Sequence, residues 1–157
     1  VQKTPQVTTS FQPDISSDYI ENMSLRIDYY YRVGSATSFE QLNKIEKELV
    51  DVFGPIPREA KDLLSVALLK IRYKPTPVSQ ISIQDNVVKV VVQPFDEKRQ
   101  LGFLSQLGGY KNKNLKHISF KDVSGGLLGV FLGVSGSGDV FDLLFDFVHL
   151  FGPTNAT

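Results

Sequence analysis

Asp139, Asp142, Asp146 and His149 are spaced three, four and three residues apart, so on a helix they line one stripe of carboxylate and imidazole donors. Such a set is able in principle to hold a divalent cation and activate a water. Every other residue from Val140 to Phe151 is apolar, so this stripe is also the only face such a helix can turn to water. Ligands on one short helix cannot enclose an ion without a second element. A solvated face is therefore the preferred reading, and a small metal-dependent hydrolase using the stripe is the alternative.

Three further patterns invite chemistry. Val134-Ser-Gly-Ser-Gly-Asp139 is a glycine-rich turn before a helix, a place where a phosphate can sit. It lacks the Lys-Ser/Thr end of a P-loop and the G-x-G-x-x-G spacing, and Asp139 puts a negative charge at its mouth, so it reads as a plain turn. Lys111, Lys113, Lys116 and Lys121, with Tyr110 and Phe120 nearby, are the one basic cluster. Asn112 and Asn114 favour a solvated loop there, and Phe120 falls in a strand where it is expected to face the core. Tyr29, Tyr30 and Tyr31 are consecutive, so on a helix they point about 100° apart and form no single stacking platform. With two histidines, no cysteine and no nucleophile elbow, nothing in the chain reads as a catalytic centre.

Seventeen basic and 17 acidic side chains leave no net charge, so free-standing binding to a polyanion has no overall electrostatic support. The absence of cysteine excludes a disulfide framework and thiolate ligands, which fits a reducing cytoplasm. No apolar run approaches the ~20 residues of a membrane span, and the first residues lack a signal-peptide core. A chain of 157 residues beginning at Val1 reads as one domain cut from something larger.

The elements that must position these residues follow from periodicity. Residues 1–17, rich in Thr, Gln, Ser and Pro, read as a linker or extended arm with a short strand near Val7 to Phe11; residues 18–157 read as one domain. Its helical part, 18–74, holds helices over Ser24 to Val33, from Ser38 to Phe53, and from Arg58 to Tyr73. Ser38 and Gln41 form a capping box, and Leu42, Ile45, Leu49 and Val52 or Phe53 recur at helical spacing. Gly54, expected in the left-handed conformation, and Pro55 stop that helix, while Pro57 suits the start of the next. The sheet-helix part, 78–152, carries hairpins around Asp85-Asn86 and Gly125-Gly126, a helix capped by Asp96 and a last helix capped by Asp139. The fold class is α+β: three helices, then two hairpins and two helices forming an antiparallel sheet backed by helices.

Asp18-Tyr-Ile20, then Arg26 with Tyr30, then Glu48, Leu49, Asp51, Phe53, Gly54 and Pro57, then Leu63-Leu64 follow one another in order. This order resembles the C-terminal domain of bacterial transcription-repair coupling factor, where Tyr-Ile precedes Arg-x-x-x-Tyr, Glu-Leu-x-Asp-Arg-Phe-Gly-x-x-Pro and a Leu-Leu helix. The match runs from about Asp18 to Lys70, and Val52 stands where the family carries Arg. The resemblance implies a non-catalytic regulatory domain without catalytic, cofactor or metal residues. The parent would be an ATP-driven DNA translocase that displaces stalled RNA polymerase and recruits nucleotide excision repair at DNA damage. The domain would dock on a UvrB-like module of the same polypeptide, mask the surface for UvrA and restrain the motor, without touching nucleic acid or membrane itself. Glu48 and Asp51 would make the polar docking contacts. From spacing alone they would also pair with Lys44 and Lys47 along their own helix.

Overall fold

Asn22 opens helix α1 (Met23–Gly34) by accepting the Leu25 N–H at 3.0 Å, one of the amides a helix cannot satisfy internally. Ser38 does the same for α2 (Phe39–Phe53), accepting from the Gln41 N–H at 3.2 Å. The capping box closes one residue earlier than its usual form, since the Gln41 side chain accepts from the Thr37 N–H at 2.7 Å. Helix α2 ends at Gly54, whose N–H bonds Val50 O at 2.9 Å. Gly54 has φ +91° and ψ −167°: φ is positive as expected, but ψ is extended rather than left-handed helical. That region is essentially closed to any residue with a Cβ. Pro55, Ile56 and Pro57 lead into α3 (Arg58–Tyr73).

The computed structural model describes residues 3–94, 96–136 and 138–152, and divides into two compact units. The helical unit, Phe11–Ile71, is built around Ile15, Ile20, Tyr29, Val33, Leu42, Ile45, Leu49, Ala60 and Leu64. Phe53 rather than Val52 completes the apolar stripe of α2; Phe53 is half-buried, whereas Val52 is 64% exposed.

The second unit joins residues 1–10 to residues 72–157. Its five strands are β1 (Gln6–Thr9), β2 (Val78–Gln84), β3 (Val87–Val92), β4 (Leu115–Asp122) and β5 (Leu128–Val134), in the spatial order β1-β2-β3-β5-β4. Both hairpins form at the expected turns, with Asp85 at φ +48° in one and Gly125 and Gly126 at +61° and +80° in the other. The sheet is mixed rather than wholly antiparallel, because β1 runs parallel to β2 with Val7 opposite Ile81. The class is α+β. Helix α4 (Glu97–Gly108) opens on Asp96, and α5 (Val140–Phe147) opens on Asp139 and passes into a 3-10 turn, Val148–Phe151.

Alternation gives the sheet two unlike faces. On one, Ile81, Ile83, Val88, Val90, Val130 and Leu132 are buried, with Phe103, Leu107, Leu143, Leu144 and Phe147 of α4 and α5 also in this unit's core. On the other, the register aligns Lys89, Phe131 and Ser119 in one row and Val91, Gly129 and Lys121 in the next. Phe120, expected in the core, is 49% exposed, because β4 is the edge strand. No helix among the described residues is long and apolar enough to cross a membrane.

Candidate docking site

The family-like residues of the helical unit bind first of all to one another. Arg26 and Tyr30 lie one turn apart on α1 and so share a face. The Arg26 guanidinium donates to Ile20 O at 2.8 Å and Glu21 O at 3.0 Å. The Tyr30 hydroxyl accepts from the Ile15 N–H at 2.7 Å and donates to the Asp14 carboxylate. Burial, and then the Asp14 carboxylate, push the Tyr30 phenol up. These bonds strap residues 14–21 along the helix. Tyr19 in that strap donates to Gly54 O at 2.8 Å, with Leu49 O 3.2 Å away, so it closes the carboxyl end of α2. Its ring lies 5.8 Å from that of Phe53.

Glu48 projects from α2 towards α1. Arg32 grips it bidentately at 2.8 and 3.0 Å, and the Tyr29 hydroxyl donates to it at 2.5 Å. The same guanidinium stacks 4.9 Å from the Tyr29 ring centre. The Lys44–Glu48 pair expected from spacing gives way to this contact, and Lys47 and Asp51 do not come within ion-pair distance of each other. The ion pairs of this unit include Arg32–Glu48, Arg58–Asp62 and Lys61–Glu46. A rigid three-group arrangement loses less side-chain entropy than a pair of flexible lysines. The signal was in the sequence, since Tyr29 and Arg32 are three apart on α1, but their partner lies on another helix.

The Arg32 contact, then the Tyr29 hydrogen bond, pull the Glu48 carboxyl down from 4.5 to about 2. A carboxyl lowered on folding stabilises the native state above its unfolded value and loses that contribution as pH falls through its folded one. The two side chains are 33% and 37% exposed, so screening limits the contribution. Glu48→Gln is expected to cost about 1 kcal/mol at neutral pH. The deficit should shrink between pH 4.5 and about 2, as read from urea unfolding across that range. An equal deficit at every pH would mean that the carboxylate charge contributes nothing.

Asp51 lies on the outside of α2, exposed, its carboxylate making no hydrogen bond or ion pair to any described residue. Val50 and Val52 beside it are 43% and 64% exposed. Glu48 and Asp51 are thus separated in role: Glu48 is anchored within the unit, and Asp51 faces solvent.

The alternative site does not assemble. Asp139 is consumed as a helix cap, accepting from the N–H groups of Phe141 and Asp142 at 3.0 and 3.2 Å. Asp146 accepts from the Tyr110 hydroxyl at 2.6 Å and from Asn112 at 3.1 Å, contacts that hold its carboxyl below its ordinary value. Among the described residues no three His, Asp or Glu side chains gather as a metal site, so the metal-dependent hydrolase is unsupported. In the glycine-rich turn Ser137 lies outside the described residues. Gly138 N–H bonds Ser135 O at 2.8 Å, and the buried Asn114 accepts from the Asp139 N–H at 3.0 Å. Tyr110 and Asn112, read as part of a basic loop, serve as the anchors of Asp146.

A helical unit strapped by its own motif residues, joined in the chain to a mixed sheet with two helices, defines an α+β domain. The same fold is found in a solved structure described as the crystal structure of the C-terminal domain of transcription-repair coupling factor. The TM-score is 0.72 at 19% identity, over 98% of this chain and 92% of that one. The family model of the TRCF domain matches residues 10–101, and the chain belongs to that family. The transcription-repair-coupling factor of Escherichia coli (strain K12) is 38% identical over 61 residues, 39% of this chain. That of Bacillus subtilis (strain 168) is 28% identical over 94 residues, 57% of this chain. These matches cover 5% and 8% of the relatives, so the chain spans less than a tenth of the length of the curated relatives it matches.

Proposed function

We propose that this chain is a non-catalytic regulatory domain of a cytoplasmic bacterial transcription-repair coupling factor. In this reading it docks on the UvrB-like module of its own polypeptide, masks the UvrA-recruiting surface and restrains the translocase. UvrA and RNA polymerase are partners of the parent rather than of this domain, and no cofactor is needed. The observation that carries the reading is the exposed Asp51, left unpaired beside Val50 and Val52 on the outer side of α2. A mixed polar and apolar patch of this kind suits a contact that must also open. Masking is a population shift: docking favoured by a few kcal/mol closes the surface and still yields to a competing ligand. Val52 in place of the family Arg removes a bidentate donor from this patch, which favours a looser latch. Glu48 contributes at the edge, with Arg32 and Tyr29 fixing its carboxylate in place.

The two carboxylates have separable outcomes. Asp51→Lys is expected to weaken association with the separately expressed UvrB-like module about ten-fold in calorimetry, with an unchanged melting temperature. Glu48→Ala is expected to lower both association and stability. Unaltered binding by Asp51→Lys would move the docking surface to another face.

A further inference from the structure

We propose that the open face of the five-stranded sheet is a stacking platform for single-stranded nucleic acid. Phe131 stands at its centre, half-buried on β5, with Lys89 of β3 and Lys121 of β4 on either side. Their ammonium groups lie 5.9 and 5.5 Å from the ring centre. Both distances are near the outer limit of a cation–π contact, so the lysines can swing to a phosphate and leave the ring to a base at small cost. Gly129 and Gly133 flank Phe131 two residues away on the same face, so no side chain of β5 rises beside the ring; the edge of the ring itself and the Val123 side chain lie over Gly129. A Cβ at Gly133 would collide with the His117 ring, which lies over that glycine and adds a second flat group next to Phe131.

The charge on this face argues for the occupant. The chain as a whole is neutral, but the register places Gln80, Ser82 and Gln84 of β2 opposite Val91, Lys89 and Val87, and Ser119 opposite Phe131. No Asp or Glu occurs among the β1 to β5 residues of this face, so lysine is its only fully charged residue type. An acidic peptide would engage the lysines but has no use for the aromatic ring between them. A base on the ring and phosphates on the lysines use both, and the serine and glutamine side chains can bond to base edges without preference for one sequence.

The test is fluorescence anisotropy of a short labelled oligothymidylate with the full chain. Saturable binding is expected, with a log–log salt slope of about −1.4 for two phosphate contacts. Phe131→Ala should weaken it about ten-fold at unchanged slope, while Phe131→Tyr, which keeps the ring, restores it. Lys89→Gln with Lys121→Gln should remove the slope. Circular dichroism melting of each variant separates lost contact from lost fold, and the tyrosine variant keeps the test decisive if the alanine variant melts early. No saturable binding, equal binding of a duplex of the same length, or an unaffected Phe131→Ala would overturn the proposal. A polyglutamate peptide binding as tightly as the oligonucleotide would assign the face to an acidic protein instead.

Discussion

Tyr73→Ala is expected to destabilise the sheet unit by about 4 kcal/mol, while Tyr73→Phe costs only about 1 kcal/mol. Tyr73 is fully buried near the end of α3, its ring 6.4 Å from that of Phe151 in an edge contact. Its hydroxyl donates to Leu144 O at 2.5 Å. Alanine removes a whole aromatic side chain from a closed core and leaves a cavity. Phenylalanine keeps the packing and removes a single hydrogen bond. The Leu144 carbonyl still accepts from the Val148 N–H, so it is not orphaned. Urea unfolding at 25 °C measures both. A phenylalanine variant as unstable as the alanine one would make the hydroxyl, rather than the ring, the stabilising group.

Gly54→Val is expected to cost about 3 kcal/mol, at the upper end of the strain for one residue in a glycine-only backbone region. No atom lies within 4 Å of where a Cβ would stand, so bulk is not the cause. The penalty comes from φ +91° itself, and Gly54→Ala should therefore lose most of the same amount. The turn cannot relax freely, because Gly54 O is held by the Tyr19 hydroxyl at 2.8 Å and the N–H by Val50 O at 2.9 Å. Shifting it would release the strap over α2 as well. A denaturation midpoint unchanged in both variants would show that the backbone reaches another conformation without strain.

What could be read from the sequence was local. Ser38, Asp96 and Asp139 cap their helices within a few residues, and the Asp85-Asn86 and Gly125-Gly126 turns set their hairpins, so these elements were legible. The ψ of Gly54 was legible too, although the glycine was expected to be left-handed: Pro55 disfavours a helical ψ at the residue before it and favours an extended one. The partner of Glu48 was missed because helical spacing reports only neighbours on the same helix, and Arg32 belongs to another. The exposure of Val52 and Phe120 depends on which residue of a boundary pair turns inward and on which strand is outermost, both properties of the assembled unit. The open sheet face escaped notice for the same reason. Lys89, Lys121 and Phe131 come from three strands and become neighbours only through the register.

The parallel pairing of β1 with β2 has a consequence for the order of events during synthesis. Val7 is synthesised before the helical unit, but Ile81, its partner, follows only after the whole of that unit has been made. At about 5–20 residues per second the first strand waits several seconds for the template it must join. The helical unit, with its core complete by Ile71, can close within that delay and bring the ends of the intervening segment under restraint before the sheet begins. A nascent chain stalled in this window would carry a finished helical unit and, ahead of it, an unpaired strand open to proteases.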